Sequence, residues 1–219
     1  MEDILGQVEF DTSNPEPRCP CVLALDVSGS MYGDPITQLN DGLVAFEDAL
    51  KDDDLASMRV EVAIVAFSST ATVQLDFVTA NQFESPKLKA GGTTAMGEAI
   101  DMSLDMVRRR KGIYKQNGVP YYRPWIFLIT DGTPTDEWQA AAQRVRHEES
   151  SKSVAFFAVG VQGADLDVLS KISSRQPVTL KGLNFREMFV WLSASLTSVS
   201  HSQIGEQVPL QSPVGWAEV

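Results

Sequence analysis

The stretch Cys21-Val22-Leu23-Ala24-Leu25-Asp26-Val27-Ser28-Gly29-Ser30-Met31 changes character halfway along. Its first half is an unbroken apolar run, the pattern of a strand buried on both faces. Its second half sets oxygen-bearing side chains at Asp26, Ser28 and Ser30, separated by one small apolar residue and one glycine. A buried strand that delivers a carboxylate and two hydroxyls into one tight loop fits a hard divalent cation, which takes oxygen ligands.

Two further runs repeat the pattern. Val60 to Phe67 and Trp125 to Thr130 are both short and apolar, and a fifth strand is read from Ser153 to Val161. Helical spacing lies between them. Ile36, Leu39, Leu43, Phe46, Ala49 and Leu50 mark one helix, with Asp34 as its cap and Pro35 in its first turn. The run Lys51-Asp52-Asp53-Asp54 then reads as a solvated acidic turn. Met96, Ala99, Ile100, Leu104 and Val107 mark a second helix, ending in Arg108-Arg109-Arg110-Lys111, where cations suit the dipole. Residues 112–124 read as a loop. Trp138, Ala141, Ala142 and Val145 form the inner face of a third helix, with Asp136 and Glu137 as a charge pair at its N-terminus. A short helix over 165–172, a weak strand over 177–180 and a last helix capped by Asn184 complete the pattern. Thr72 to Val78 alternates, and only Ser68-Ser69-Thr70-Ala71 separates it from the preceding strand. A connection that short predicts an antiparallel hairpin, because a parallel crossover needs a dozen or more residues.

Strands alternating with helices predict an α/β fold: a doubly wound, mostly parallel six-stranded sheet with one antiparallel edge strand and helices on both faces. The expected organisation is an extended lead-in over 1–18, one domain over 19–200 and an irregular tail over 201–219.

The 219 residues suit one domain with a sizeable core. The net charge of −11 argues against nucleic-acid or anionic-membrane binding. The start, Met-Glu-Asp-Ile-Leu-Gly, lacks the basic and apolar regions of a secretory signal. No apolar run reaches the roughly 18 residues of a membrane span. The expected compartment is the cytoplasm. Cys19 and Cys21 are read as buried free thiols at a strand entrance, too close for an ordinary disulfide. Tyr114, Tyr121, Tyr122 and Trp138 read as packing, with a partner-contact role for Tyr121, Tyr122 and Trp138 as the competing reading.

Sites in open α/β sheets lie beyond the carboxyl ends of the strands. Asp26, Ser28 and Ser30 follow the first strand. Thr93 and Thr94 follow the Gly91-Gly92 turn, and Asp131 follows Trp125–Thr130. If the strand order reverses between the first and fourth strands, these loops meet at one crevice.

These motifs resemble those of the von Willebrand factor A family over residues 19–200. Asp26-Val27-Ser28-Gly29-Ser30 is similar to its D-x-S-x-S loop. Gly92-Thr93-Thr94-Ala95-Met96-Gly97 and Ile129-Thr130-Asp131-Gly132 are similar to its distal threonine and aspartate segments. The resemblance implies a Rossmann-like fold and a metal-ion-dependent adhesion site for Mg²⁺ or Mn²⁺, with Ca²⁺ less favoured. Ser28 and Ser30 would ligate directly, and Asp26 and Asp131 directly or through water. The family pattern of a small residue three positions on selects Thr94 through Gly97, with Thr93 as the alternative. It further implies a protein partner whose Asp or Glu carboxylate completes the ion's coordination. Tyr121-Tyr122-Arg123-Pro124-Trp125 and Asp131 to Trp138 resemble, more narrowly, bacterial cytoplasmic proteins of this family associated with tellurium-resistance clusters.

Two other functions compete. A Mg²⁺-dependent phosphatase or phosphotransferase would need a second carboxylate where Ser28 stands and a lysine in the three loops, and the chain has neither. His147 and His201 lie outside the motif loops. The other reading is a structural subunit with a purely stabilising metal. No catalytic residue is assigned, and the chain is read as a non-enzyme.

Overall fold

The computed structural model describes residues 12–213 and 215–218. Most of the predicted lead-in, and the reading of its first six residues, lie outside them. Cys19–Asp26 forms β1, buried along its whole length and two residues longer at its start than the apolar run suggested. Two helices follow, α1 (Asp34–Lys51) and α2 (Asp54–Arg59), then β2 (Val60–Phe67) and β3 (Ala71–Thr79). After an irregular segment come α3 (Met96–Gln116), β4 (Trp125–Thr130), α4 (Gln139–Ser150) and β5 (Ala155–Gly160). The chain closes with α5 (Leu166–Ile172), β6 (Val178–Leu180), α6 (Phe185–His201) and β7 (Ala217–Glu218).

The strands lie in the order β3-β2-β1-β4-β5-β6-β7. The expected six-stranded sheet is present, parallel throughout except for β3, the antiparallel edge strand that the short hairpin required. The tail adds what its composition did not announce. Trp216 is buried and packs at a tilt with its ring 5.2 Å from that of Trp191, and β7 pairs antiparallel with β6 at the other edge. Helices α1, α2 and α6 cover one face of the sheet, with Leu43, Phe46, Phe185 and Phe189 in its core. Helices α3, α4 and α5 cover the other, with Met96, Ile100, Ala141 and Leu169.

Four local readings are corrected. Asp34 is not the cap of α1: Gly33 occupies that position at φ 92°, and Asp34 is a first-turn residue. The acidic run does not simply end α1. Asp53 accepts from the amides of Leu55 and Ala56 and so starts α2, a helix too short for a periodic signal. Asn184 stands at the start of α6 without capping it, and its side chain donates to Gly215 O instead. Helix α3 runs on through Gly112 to Gln116 because its C-terminal half is anchored from β2. Glu61, buried at the start of β2, accepts from Arg110 Nε at 2.7 Å and Nη2 at 2.9 Å, and from the Tyr114 hydroxyl. Arg18 Nε lies 3.1 Å from the same carboxylate. The cation run therefore serves tertiary packing as well as the helix end.

Cys19 and Cys21 are free and fully buried. Burial pushes the Cys19 thiol up to about 12, and Cys21 is raised well above its ordinary value for the same reason. Tyr122 is also buried and donates to Ser202 O at 2.6 Å, while Tyr121 packs 5.2 Å from Tyr114. Trp138 lies against the core under α3 and α4. The aromatic residues are thus engaged in packing. Among the described residues, no helix is long and apolar enough to cross a membrane.

Candidate metal centre

The order of the sheet reverses between β1 and β4, and the candidate residues converge there. In the parallel register Leu25 faces Ile129, so Asp26 and Thr130 are adjacent final residues of neighbouring strands. Asp26 is fully buried. Its Oδ1 accepts from the Ser28 amide at 2.8 Å, which folds the loop back on itself. Its Oδ2 accepts from Thr130 Oγ1 at 2.5 Å. Thr130 Oγ1 also accepts from the Gly132 amide at 3.2 Å.

The hydroxyls continue outward from this buried carboxylate. Ser28 Oγ lies 3.0 Å from Ser30 Oγ, and Ser30 Oγ donates to Asp131 Oδ1 at 2.7 Å. Ser28 is buried, Asp131 half-buried and Ser30 exposed, so the set opens from the sheet towards solvent. The segment before α3 is held against the loop by two backbone bonds, Gly29 N to Gly92 O at 3.0 Å and Gly91 N to Val27 O at 2.8 Å. Thr94, buried, stands over Gly132. A Cβ added at Gly132 would lie 3.2 Å from Thr94 Oγ1 and 3.8 Å from Asp26 Oδ2. Thr93 is exposed and is tied to Ser69 instead, its Oγ1 3.4 Å from Ser69 Oγ. Five of the six candidates thus gather at the switch point, and Thr93 turns away.

Three residues that sequence reasoning did not assign to the site hold this arrangement. Thr130 is the hydroxyl beneath Asp26, and its signal was a threonine ending an otherwise apolar strand. Thr135 locks the distal loop to Thr94: Thr94 N donates to Thr135 Oγ1 at 3.1 Å, and Thr135 N donates to Thr94 O at 2.9 Å. Asp136 accepts from the amides of Gly97 at 3.0 Å and Glu98 at 2.9 Å. It therefore caps α3, not the helix that follows it in sequence. This corrects the reading of Asp136 and Glu137 as a charge pair for their own helix. Gly97 is required by the contact, since a Cβ there would lie 2.6 Å from Glu137 O and 2.8 Å from Trp138 Cα.

The electrostatics of the site are those of a deficit of positive charge. Burial raises the Asp26 carboxyl above its ordinary value, its hydrogen bonds to Ser28 and Thr130 pull it down, and the nearby Asp131 charge raises it. No Lys or Arg forms an ion pair with Asp26 or Asp131 among the described residues. Nor do three or more His, Cys, Asp or Glu side chains converge on one point among them. The donor set here is two carboxylates and three hydroxyls, all hard oxygens, which fits a small divalent cation.

The family model of the von Willebrand factor type A domain matches residues 21–188. None of the curated proteins matches the sequence. Among solved structures, the chain is similar to the pilus adhesin SpaC from Lactobacillus rhamnosus GG, at a TM-score of 0.67 and 15% identity over 85% of this chain and 32% of that one. It is similar to proximal thread matrix protein 1 from the mussel byssus, at 0.59 and 15% over 84% of this chain and 48% of that one. It is also similar to the ArnB paralog VWA2 from Sulfolobus acidocaldarius, at 0.52 and 20% over 83% and 45%. The chain thus spans a third to a half of the length of these proteins, and at such identities the likeness is one of fold. With the family model covering most of β1, all of β2 to β6 and all three loops, the chain belongs to the von Willebrand factor type A domain family.

Proposed function

We propose that the chain is a protein-interaction module whose switch-point residues hold a divalent cation, Mg²⁺ or Mn²⁺, for recognition of a partner carboxylate. The observation that carries this reading is the hydroxyl–carboxylate chain Ser28–Ser30–Asp131 set above Asp26, a buried carboxylate with no cationic partner among the described residues. Ser28, Ser30, Thr94 and the two aspartates are the proposed ligands. A bound ion would supply an electrophilic position facing solvent. Ser28, Ser30 and Thr94 contribute neutral oxygens, so the ion would keep most of its charge for an outside Asp or Glu. Thr130 and the Ser28 amide orient Asp26 and partly offset the effect of burial on its carboxyl.

Recognition is favoured over catalysis because Ser28 stands where a phosphotransferase site needs its second carboxylate. No lysine lies in the three loops, and neither His147 nor His201 lies there either. We place the protein in the cytoplasm, where thiols such as Cys19 and Cys21 stay reduced. The likeness to tellurium-resistance-associated proteins belongs to the same proposal. The relatives above support the family and not that subgroup.

A pull-down of partners from native lysate, with Mg²⁺ and with EDTA, tests the reading. Capture is expected with Mg²⁺ and lost with EDTA or with Asp26→Ala/Ser28→Ala, while circular dichroism stays native. Undiminished capture in EDTA would refute it. A phosphatase assay on the same preparation is expected to show no turnover.

A further inference from the structure

Beside the metal loop lies a second polar recess, of about 310 Å³, that the proposed function leaves unused. Its lining includes Ser68, Thr70, Thr72, Gln74, Lys87 and Lys89, and no acidic side chain. Val27, the residue between Asp26 and Ser28, forms part of its wall. The hydroxyls and the Gln74 amide belong to β3 and the turn leading into it. The lysines belong to the irregular segment before α3.

That segment is held in place from α1. Asn40 accepts from Leu88 N at 2.8 Å and donates to Leu88 O at 3.0 Å, which fixes Leu88 with its side chain buried. Lys87 and Lys89 flank it, and both are exposed. Neither forms an ion pair among the described residues. In a chain of net charge −11, two unneutralised ammonium groups around one recess are a local reversal of sign. The recess is also close to the metal loop. Gly91, two residues after Lys89, bonds Val27, and two residues of extended chain span about 7 Å.

We propose that this recess is a second anchor for the same partner: it takes an Asp or Glu side chain while another carboxylate of that partner enters the metal site. The inference rests on the metal-dependent reading above and narrows it. The partner is then an acidic segment with two carboxylates about three to five residues apart in extended conformation. In a chain of net charge −11, the ion and the two lysines together form the paired positive focus that draws such a segment. A partner with a single carboxylate gains only the first contact.

The test uses the isotope-labelled full chain with Mg²⁺ and two capped peptides, followed by amide chemical shifts. One peptide is Gly-Glu-Gly-Gly-Gly-Glu-Gly, and the other replaces the second Glu by Gln. The diacidic peptide is expected to shift the amides of Gly29 and Gly132 together with those of Lys87 to Lys89. The monoacidic peptide is expected to shift only the first group. The diacidic peptide should bind about fivefold to tenfold tighter at low salt, and Lys87→Gln/Lys89→Gln should bring that ratio to about one. Equal affinities for the native chain, or a ratio unchanged in the variant, would overturn the proposal. EDTA separates the two readings. Loss of only the Gly29 and Gly132 shifts is the expected result. If Mg²⁺ and EDTA make no difference while Lys87 to Lys89 still respond, the metal reading fails and the recess binds carboxylate alone. A recess that takes inorganic phosphate in preference to the peptide would also overturn the assignment to an acidic side chain.

Discussion

Gly97→Ala gives a change whose sign separates helix propensity from tertiary contact. Gly97 is the second residue of α3, where alanine should gain at most about 1 kcal/mol, the helix-interior value, by propensity alone. The added methyl would lie 2.6 Å from Glu137 O, 2.8 Å from Trp138 Cα and 3.1 Å from Asp136 Oδ2. Two of these neighbours are backbone atoms, which cannot swing aside. Overpacking of this kind costs about 1–3 kcal/mol. Moving residues 136–138 away also lengthens the Asp136 bonds to the Gly97 and Glu98 amides, a capping interaction worth about 0.5–2 kcal/mol. The net expectation is a loss of about 2 kcal/mol, or a fall in Tm of roughly 4–8 °C for a domain of this size. Because Thr135 and Thr94 bond each other, the displacement also reaches the metal site. Urea unfolding and thermal melts of Gly97→Ala and Asp136→Ala measure the two parts. A Gly97→Ala chain as stable as the parent, or more so, would refute this account of the contact between α3 and the distal loop.

Two further outcomes are expected. Glu61→Gln takes the carboxylate away from Arg18 and Arg110 inside the core, and should cost about 3–5 kcal/mol in urea unfolding. Asp53 is held below its ordinary value by the Ala56 amide first and His201 next. Its contribution to stability is therefore full above the ordinary carboxylate range and fades as pH falls through the lowered value. Asp53→Asn should flatten that acid limb in a series of urea midpoints.

Much of the fold was legible because buried parallel strands read as apolar runs whatever surrounds them. β1, β2, β4 and β5 each read so, and Asp26 and Asp131 stand out as charged residues directly after such runs. The crevice followed from one topological inference, a reversal of strand order between β1 and β4. What was not legible depends on pairs distant in sequence. Glu61 looks like an exposed position in an apolar strand until Arg18, Arg110 and Tyr114 fold around it. Asp136 looks like a cap for the helix it precedes, yet the amides it reaches belong to α3. Helix α2 is six residues long, too short for periodicity, and the two-residue β7 follows Trp216, which packs on Trp191. Lys87 and Lys89 carry no signal in sequence, since their common recess is set by the Asn40 clamp on Leu88.

The central claim is that five oxygen-bearing side chains from three loops hold one divalent cation. Calorimetric titration of Mg²⁺ into the chelator-treated full chain tests it most directly. One site per chain is expected, lost in Asp131→Ala and in Thr94→Ala and retained in Thr93→Ala. Absence of saturable binding, or equal binding by the Asp131→Ala chain, would contradict the claim.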